Sequence, residues 1–260
     1  MFQVHQIPAF KDNYFWLIQP DTGSPDTYIV DPGAAEPVEA YLQANNLKLK
    51  AVLLTHHHND HIGGAQVLAH KYQLPIYGPK SDRIPQVTHA LKHEDCLPLQ
   101  SFEAKILELP GHTLDHIAYF IETPGNPPML FSGDTLFAVG CGRLFDGTAR
   151  LLYSSLQKIA ALPENTLVYA AHEYTLSNIE FALHIEPDND DLKVRAQIES
   201  DKRQHGIATL PTQLDIEKRT NPFLRCHLSQ VRDRIQQLTG KSHDLDVDFF
   251  TSLRKIKDSF

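Results

Sequence analysis

The chain has 260 residues, 42% of them hydrophobic, and a formal net charge of −8 from 24 basic and 32 acidic side chains. That length suits one large domain or two modest ones. The acidic balance argues against broad binding to nucleic acid or to an anionic membrane, both of which call for a basic surface.

The first two-thirds alternate short apolar runs with turns. YFWLI (14–18) and TYIVD (27–31) read as paired strands around DTGSPD. EPVEAYLQANN (36–46) has helical spacing, with Val38, Tyr41 and Leu42 on one side. LKAVLLT (49–55) reads as a buried strand, GGAQVLAHKYQ (63–73) as a helix and PIYGP as a short strand. AKILELPG (104–111), HIAYFIET and PMLFSG read as strands, the last two split by the turn signal PGNPP. ARLLYSSLQKIAAL (149–162) is helical and closed by Pro163, and TLVYAA (166–171) is again a strand. After residue 172 the texture changes to helical stretches with stops at Gly206 and Gly240.

Cys96, Cys141 and Cys226 are sparse and odd in number, which gives no disulfide framework and favours a reducing compartment. No apolar run reaches the roughly 18 residues of a membrane span. The N-terminal MFQVHQIPAFKDNYFWLIQP has no basic n-region, long apolar core or small-residue cleavage site. A cytoplasmic protein that does not enter a membrane is expected.

Residues 55–61 read THHHNDH, four histidines and an aspartate in seven positions. If the chain stays extended beyond AVLLT, alternation sends His56 and His58 one way and His57 the other. Asp60 and His61 then fall at the turn into the helix opening near Gly63. Imidazole nitrogen and carboxylate oxygen suit zinc and similar ions. So many ligands in so short a stretch cannot easily close round one ion, and two ions sharing it fit better. Further candidates stand just after strand-like runs: His112 after AKILELPG, Asp134 after PMLFSG and His172 after TLVYAA. Taken singly, each is an ordinary cap or turn residue. In α/β folds, however, groups beyond the carboxyl ends of neighbouring strands converge on one edge. The joint set is His56, His58, Asp60, His61, His112, Asp134 and His172, which suits two ions if one carboxylate bridges.

The pattern T-H-x-H-x-D-H, with PGHT, SGDTLF and AHEY, resembles the metallo-β-lactamase superfamily. IPAFKDNYFWLI, IVDPG, FSGDTLFAVGCGRLFDGTA, AHEYTLSNIEFALHIEP and LRKIKDSF narrow the resemblance to the glyoxalase II (hydroxyacylglutathione hydrolase) family over nearly the whole chain. The resemblance implies an α/β fold: a metallo-β-lactamase-type four-layer αβ/βα sandwich over residues 1–172, then a helical substrate-binding domain over 173–260. It implies two divalent ions, zinc first, with iron or manganese suiting the same ligands. One ion would take His56, His58 and His112 and the other Asp60, His61 and His172. Asp134 would bridge them, and Asp31 of IVDPG would orient a ligand histidine from behind. Arg143 and Tyr174 would meet the glutathione moiety, with Arg254 and Lys257, on one helix face, at its glycine carboxylate. Phe145 stands where some family members carry a tyrosine, so one substrate hydrogen bond is missing. His57 and Asn59 fall at variable positions and receive no metal role.

The reaction so implied is thioester hydrolysis of S-2-hydroxyacylglutathione, chiefly S-D-lactoylglutathione, by a monomer acting in methylglyoxal detoxification. Paired ions clamp a hydroxide and the substrate oxygen, and the thiolate leaves readily, so Asp60 and Asp134 suffice as catalytic carboxylates. No G-x-S-x-G elbow is present, and Cys141 reads as a packed turn residue. The alternatives are another enzyme of the superfamily, such as a mononuclear-iron persulfide dioxygenase, and a non-catalytic metal-binding module. A closed site with four protein ligands per ion would mark the module.

Overall fold

A computed structural model describes residues 2–100 and 102–260. The chain forms two compact units, one of Met1–Leu109 and Asp115–Gly133, the other of Pro110–Leu114 and Asp134–Phe260.

The first unit opens with β1 (Gln3–Ala9), β2 (Asn13–Gln19), β3 (Asp26–Val30), α1 (Ala35–Asn45) and β4 (Lys48–Leu53). It continues through α2 (Asn59–Ile62), α3 (Ala65–Tyr72), β5 (Ile76–Pro79) and β6 (His89–Leu91). These six strands form a sheet in chain order. β1, β2 and β3 pair antiparallel, whereas β3, β4, β5 and β6 pair parallel. The change at β3 requires a crossover, which α1 supplies. Its buried Ala35, Val38 and Leu42 recur at helical spacing and join Ile7, Phe15, Leu17, Ile29 and Val52 in one core. Because β3 and β4 run parallel, their carboxyl ends lie side by side, and Asp31 N donates to Leu53 O at 2.9 Å. Asp31, just past β3, is thereby set beside the stretch that follows β4. Gly33 allows a close crossing there, since a Cβ at that position would overlap the Asp60 carbonyl.

The predicted helix over 63–73 is α3, and it starts at Ala65. Asp60 and His61 lie on the separate helical turn α2, with His58 as its extended first residue. The same unit holds β7 (Cys96–Leu99), β8 (Phe102–Glu108), β9 (Ile117–Ile121) and β10 (Met129–Gly133). They pair antiparallel, β7 with β8, β8 with β9 and β9 with β10.

The second unit begins with a hairpin, β11 (Leu136–Phe137) and β12 (Gly140–Cys141). It continues with α4 (Ala149–Ala160), β13 (Leu167–Ala170), α5 (Thr175–Ile185), α6 (Asp190–Gln204), β14 (Thr212–Gln213), α7 (Leu214–Thr220), α8 (Ser229–Thr239) and α9 (Asp246–Ser259). Thr148 and Asn189 cap α4 and α6 by accepting from Leu151 N and Leu192 N. Gly240 closes α8 in the left-handed conformation at φ 66°. Among the described residues, no helix is long and apolar enough to cross a membrane.

Candidate metal centre

Donor geometry fixes the histidine tautomers in the first unit. Asp31 accepts from Thr55 N at 2.7 Å and from Thr55 Oγ1 at 2.6 Å. With its proton committed to Asp31, Thr55 Oγ1 accepts from His56 Nδ1 at 3.0 Å. His61 Nδ1 donates to the second oxygen of Asp31 at 2.9 Å. Both rings therefore keep their hydrogen on Nδ1 and turn a lone pair outward on Nε2. Asp31 achieves this from the left-handed conformation, at φ 50°. His56 Nε2 lies 3.1 Å from His58 Nδ1, and His61 Nε2 lies 3.5 Å from Asp60 Oδ2. Asn13 Nδ2 donates to the same Asp60 oxygen at 3.0 Å.

The second unit repeats the pattern. His112 Nδ1 donates to the Arg143 carbonyl at 2.7 Å, which leaves Nε2 with a lone pair in the neutral ring. That nitrogen faces Asp134 Oδ2 at 3.3 Å, while the other oxygen, Oδ1, faces His172 Nε2 at 3.4 Å. Lone pairs aimed at carboxylate oxygens at such distances repel unless a cation lies among them. The donor set thus fits bound divalent ions, and one carboxylate has an oxygen for each of two sites. Gly142 clears the space, since a Cβ there would overlap the Asp134 carbonyl. Tyr174 supports His172 from the side, its ring stacked at 4.7 Å and 3°.

Two groups of side chains have ligand atoms lying within 4.8 Å of one another: His56, His58, His112 and Asp134; and Asp60, His61 and His172. Of these, His56, His61, His112, Asp134 and His172 are buried. Asp31, His56 and His61 form a third such group. The oxygens of Asp31, however, are already engaged by Thr55 and His61, so it stands behind the ligands.

The metallo-β-lactamase superfamily model matches residues 11–172, and that of the hydroxyacylglutathione hydrolase C-terminus matches 173–260. The chain is 44% identical over 263 residues to the hydroxyacylglutathione hydrolase of Nitrosomonas eutropha, covering 100% of both chains. It belongs to the hydroxyacylglutathione hydrolase (glyoxalase II) family of the metallo-β-lactamase superfamily. Among solved structures, ETHE1 from Myxococcus xanthus is similar at a TM-score of 0.67 and 25% identity, over 98% of this chain and 90% of that one. TTHA1623 in a di-iron-bound form matches at a TM-score of 0.58 and 25% identity, over 85% of this chain and 100% of that one. The fold is accordingly the αβ/βα sandwich of the superfamily with a C-terminal helical extension. The His and Asp cluster is a dinuclear metal-binding site of a kind that di-zinc, di-iron or di-manganese would suit.

The residues that the glyoxalase II resemblance assigns to substrate differ in exposure. Arg143 is 62% exposed, and its Nε reaches Asp258 Oδ1 at 3.4 Å. Arg254 is only 5% exposed. It donates to the Cys141 carbonyl at 3.0 Å, pairs with the same Asp258 oxygen at 3.1 Å and lies over the Phe223 ring. Lys257 donates to Ser177 O at 3.2 Å and sits above Phe181, and burial lowers its ammonium pKa. Tyr174 is part-exposed beside His172, and Phe145 packs edge-on against His112 at 5.2 Å. Cys141 is buried, and burial pushes its thiol up to about 11 against the pull of Arg254. It is thus a packed cysteine and no nucleophile at neutral pH. Sequence reasoning passed over Thr55, although the relay to His56 runs through it, and it assigned nothing to Asn13.

Proposed function

We propose that the chain hydrolyses S-2-hydroxyacylglutathione thioesters, chiefly S-D-lactoylglutathione, to glutathione and a 2-hydroxy acid such as D-lactate. The observation that carries this reading is the Asp134 carboxylate, with one oxygen turned to His112 and the other to His172. The family model over residues 173–260 and the named relatives support the substrate class. His56, His58 and His112 would hold one ion and Asp60, His61 and His172 the other, with Asp134 available to both. When bound, such a pair supplies ionised water at neutral pH and positive charge for the developing oxyanion.

The protein's own groups do the rest. Asp31 sets the tautomer of His61 directly and that of His56 through Thr55. The thiolate leaves without a strong acid, so Asp60 and Asp134 act as ligands and as acceptors near the reacting centre. Arg143 and Tyr174 offer a cation and a hydroxyl to the glutathione moiety, and Lys257 meets its glycine carboxylate. Arg254, three residues before Lys257 on α9 and held by the Cys141 carbonyl and Asp258, adds positive charge at the same end. On this reading residues 1–172 carry the chemistry and 173–260 bind substrate. The three cysteines free of disulfides fit a cytoplasmic monomer acting in methylglyoxal detoxification.

The test follows the thioester ultraviolet band alongside metal analysis. Two ions per chain, loss of turnover on chelation and recovery with zinc are expected. Undiminished turnover by metal-free protein overturns the reading, and one iron per chain points instead to dioxygenase chemistry.

A further inference from the structure

The middle histidine of THHHNDH is bonded through both ring nitrogens. Arg83 Nη1 donates to His57 Nε2 at 3.0 Å. A guanidinium only donates, so Nε2 must accept and the ring hydrogen sits on Nδ1. Nδ1 faces both oxygens of Asp115, at 3.0 and 3.1 Å. The His57 and Asp115 side chains are only 15% and 12% exposed, so water competes weakly for this bond.

Asp115 begins a three-residue segment that meets the histidine stretch at three places. Its carboxylate takes the His57 bond. The ring of His116 stacks on that of His56, with centroids 4.8 Å apart and planes at 20°. Ile117 N donates to Thr55 O at 2.9 Å. His56 is thus bracketed: a backbone bond one residue before it, a side-chain bond one residue after it, and a ring against its face. His58 follows directly, and its extended backbone (φ −68°, ψ 144°) opens α2. The chain bends at Thr55 and His56 rather than alternating, and the His57 ring meets that of His58 edge-on at 5.0 Å, so fixing the His57 ring fixes the peptide units that aim His56 and His58.

We infer that His57 is a positioning residue for the ion held by His56 and His58, acting through Asp115 and Arg83. It ligates nothing. Its bond to Asp115 fixes the two flanking imidazoles as a pair, in the way that outer hydrogen bonds orient metal ligands. The other ion is supported separately: Asp31 orients His61, and Asn13 holds Asp60. His57 therefore acts selectively on one of the two ions. The inference rests on the dinuclear reading of the centre and is independent of the substrate.

The test is zinc release from fully loaded protein into a chromophoric chelator, with wild type, His57→Ala, His57→Asn and Asp115→Asn compared. In His57→Ala one zinc equivalent is expected to leave roughly 10–100-fold faster, the range typical of lost outer-shell partners, and the second at the wild-type rate. His57→Asn keeps a donor near the Nδ1 position and is expected to recover part of the loss. Combining His57→Ala with Asp115→Asn is expected to add little to either alone. Melting of the metal-free proteins separates positioning from general packing. Equal melting temperatures with one fast zinc support the inference. Two equally fast zincs, a metal-free variant that already melts far lower, or unchanged release each overturn it. Because zinc is counted and thioester is not, failure of the hydrolase reading leaves this result interpretable.

Discussion

His61 donates its Nδ1 hydrogen to Asp31 at 2.9 Å, and both side chains are almost wholly buried. The same carboxylate governs His56 through the Thr55 hydroxyl. One aspartate past the end of β3 therefore sets the tautomers of two histidines that serve different ions. The His61 and Thr55 hydroxyl bonds both end on Oδ2, so Asp31→Asn disrupts both when its amide nitrogen takes that place. Both zinc ions are expected to bind about 10–100-fold more weakly, in contrast to the single ion affected through His57. Zinc retained after dialysis against graded chelator measures this, and wild-type retention of both ions contradicts it.

Arg143 and Arg254 share one oxygen of Asp258, yet only Arg143 is open to solvent. The exposed guanidinium is the one free to meet an incoming carboxylate. Arg143→Ala is expected to raise KM for the glutathione thioester roughly 10–100-fold, the equivalent of one charge-assisted hydrogen bond. kcat should change little if the guanidinium serves ground-state binding alone. Steady-state kinetics with substrate varied past saturation check the split. A fall in kcat at constant KM removes Arg143 from substrate binding.

Much of this was legible because strong local patterns coincide with tertiary ones. LKAVLLT, HIAYFIET and PMLFSG are apolar enough to require buried strands, and all three are strands. THHHNDH follows β4, which lies in the parallel part of its sheet, whereas His112 and Asp134 follow β8 and β10, which share a direction only because each is antiparallel to β9 between them. β1 escaped because QVHQIPA mixes Gln3, His5 and Gln6 into its strand, and half-exposed edge residues give little periodicity. The short hairpin of β11 and β12 left no signal at all. Its turn residues Ala138 and Val139 carry no turn chemistry, and buried side chains from distant helices hold it. The bonding of His57 was hidden for a different reason: Asp115 and Arg83 lie 58 and 26 residues away, and no spacing rule links them.

The cysteines give a pH-dependent prediction. Cys96 is exposed, whereas Cys141 and Cys226 are buried, and burial raises the thiols of both. At pH 8 one thiol per native chain is expected to react quickly with a disulfide reagent and the others only on unfolding. For Cys141 the folded value of about 11 lies above the ordinary 9.0. Its contribution to stability is therefore complete below about pH 9 and is lost as pH rises toward about 11. Denaturant midpoints across that window should fall in wild type and fall less in Cys141→Ala. Rapid modification of all three thiols at pH 8 contradicts the packing described for the second unit.

Glu217 offers the sharpest stability test. It is fully buried at the centre of a network, accepting from Arg195 Nη2 at 2.6 Å, Thr212 Oγ1 at 2.7 Å, Asn221 Nδ2 at 3.0 Å and Val139 N at 2.8 Å. The last bond matters because Val139 is β-branched and yet adopts a left-handed conformation at φ 56°, which such residues rarely occupy. Asn178 and Asn221 hold the carbonyls of Ala138 and Gly140 on either side. Glu217→Ala leaves the buried Arg195 guanidinium with only the more distant Glu199 carboxylate, 3.9 Å away, and frees the turn, and it is expected to cost roughly 3–5 kcal/mol by denaturant titration. Glu217→Gln keeps an acceptor for Val139 N while removing the charge, so the hairpin should stay in place although stability falls. Substituting Val139→Gly relieves the turn without touching the ion pair. If the strained turn depends on Glu217, Val139→Gly should recover part of the loss in Glu217→Ala, and a strictly additive double mutant would show that ion pair and turn act independently.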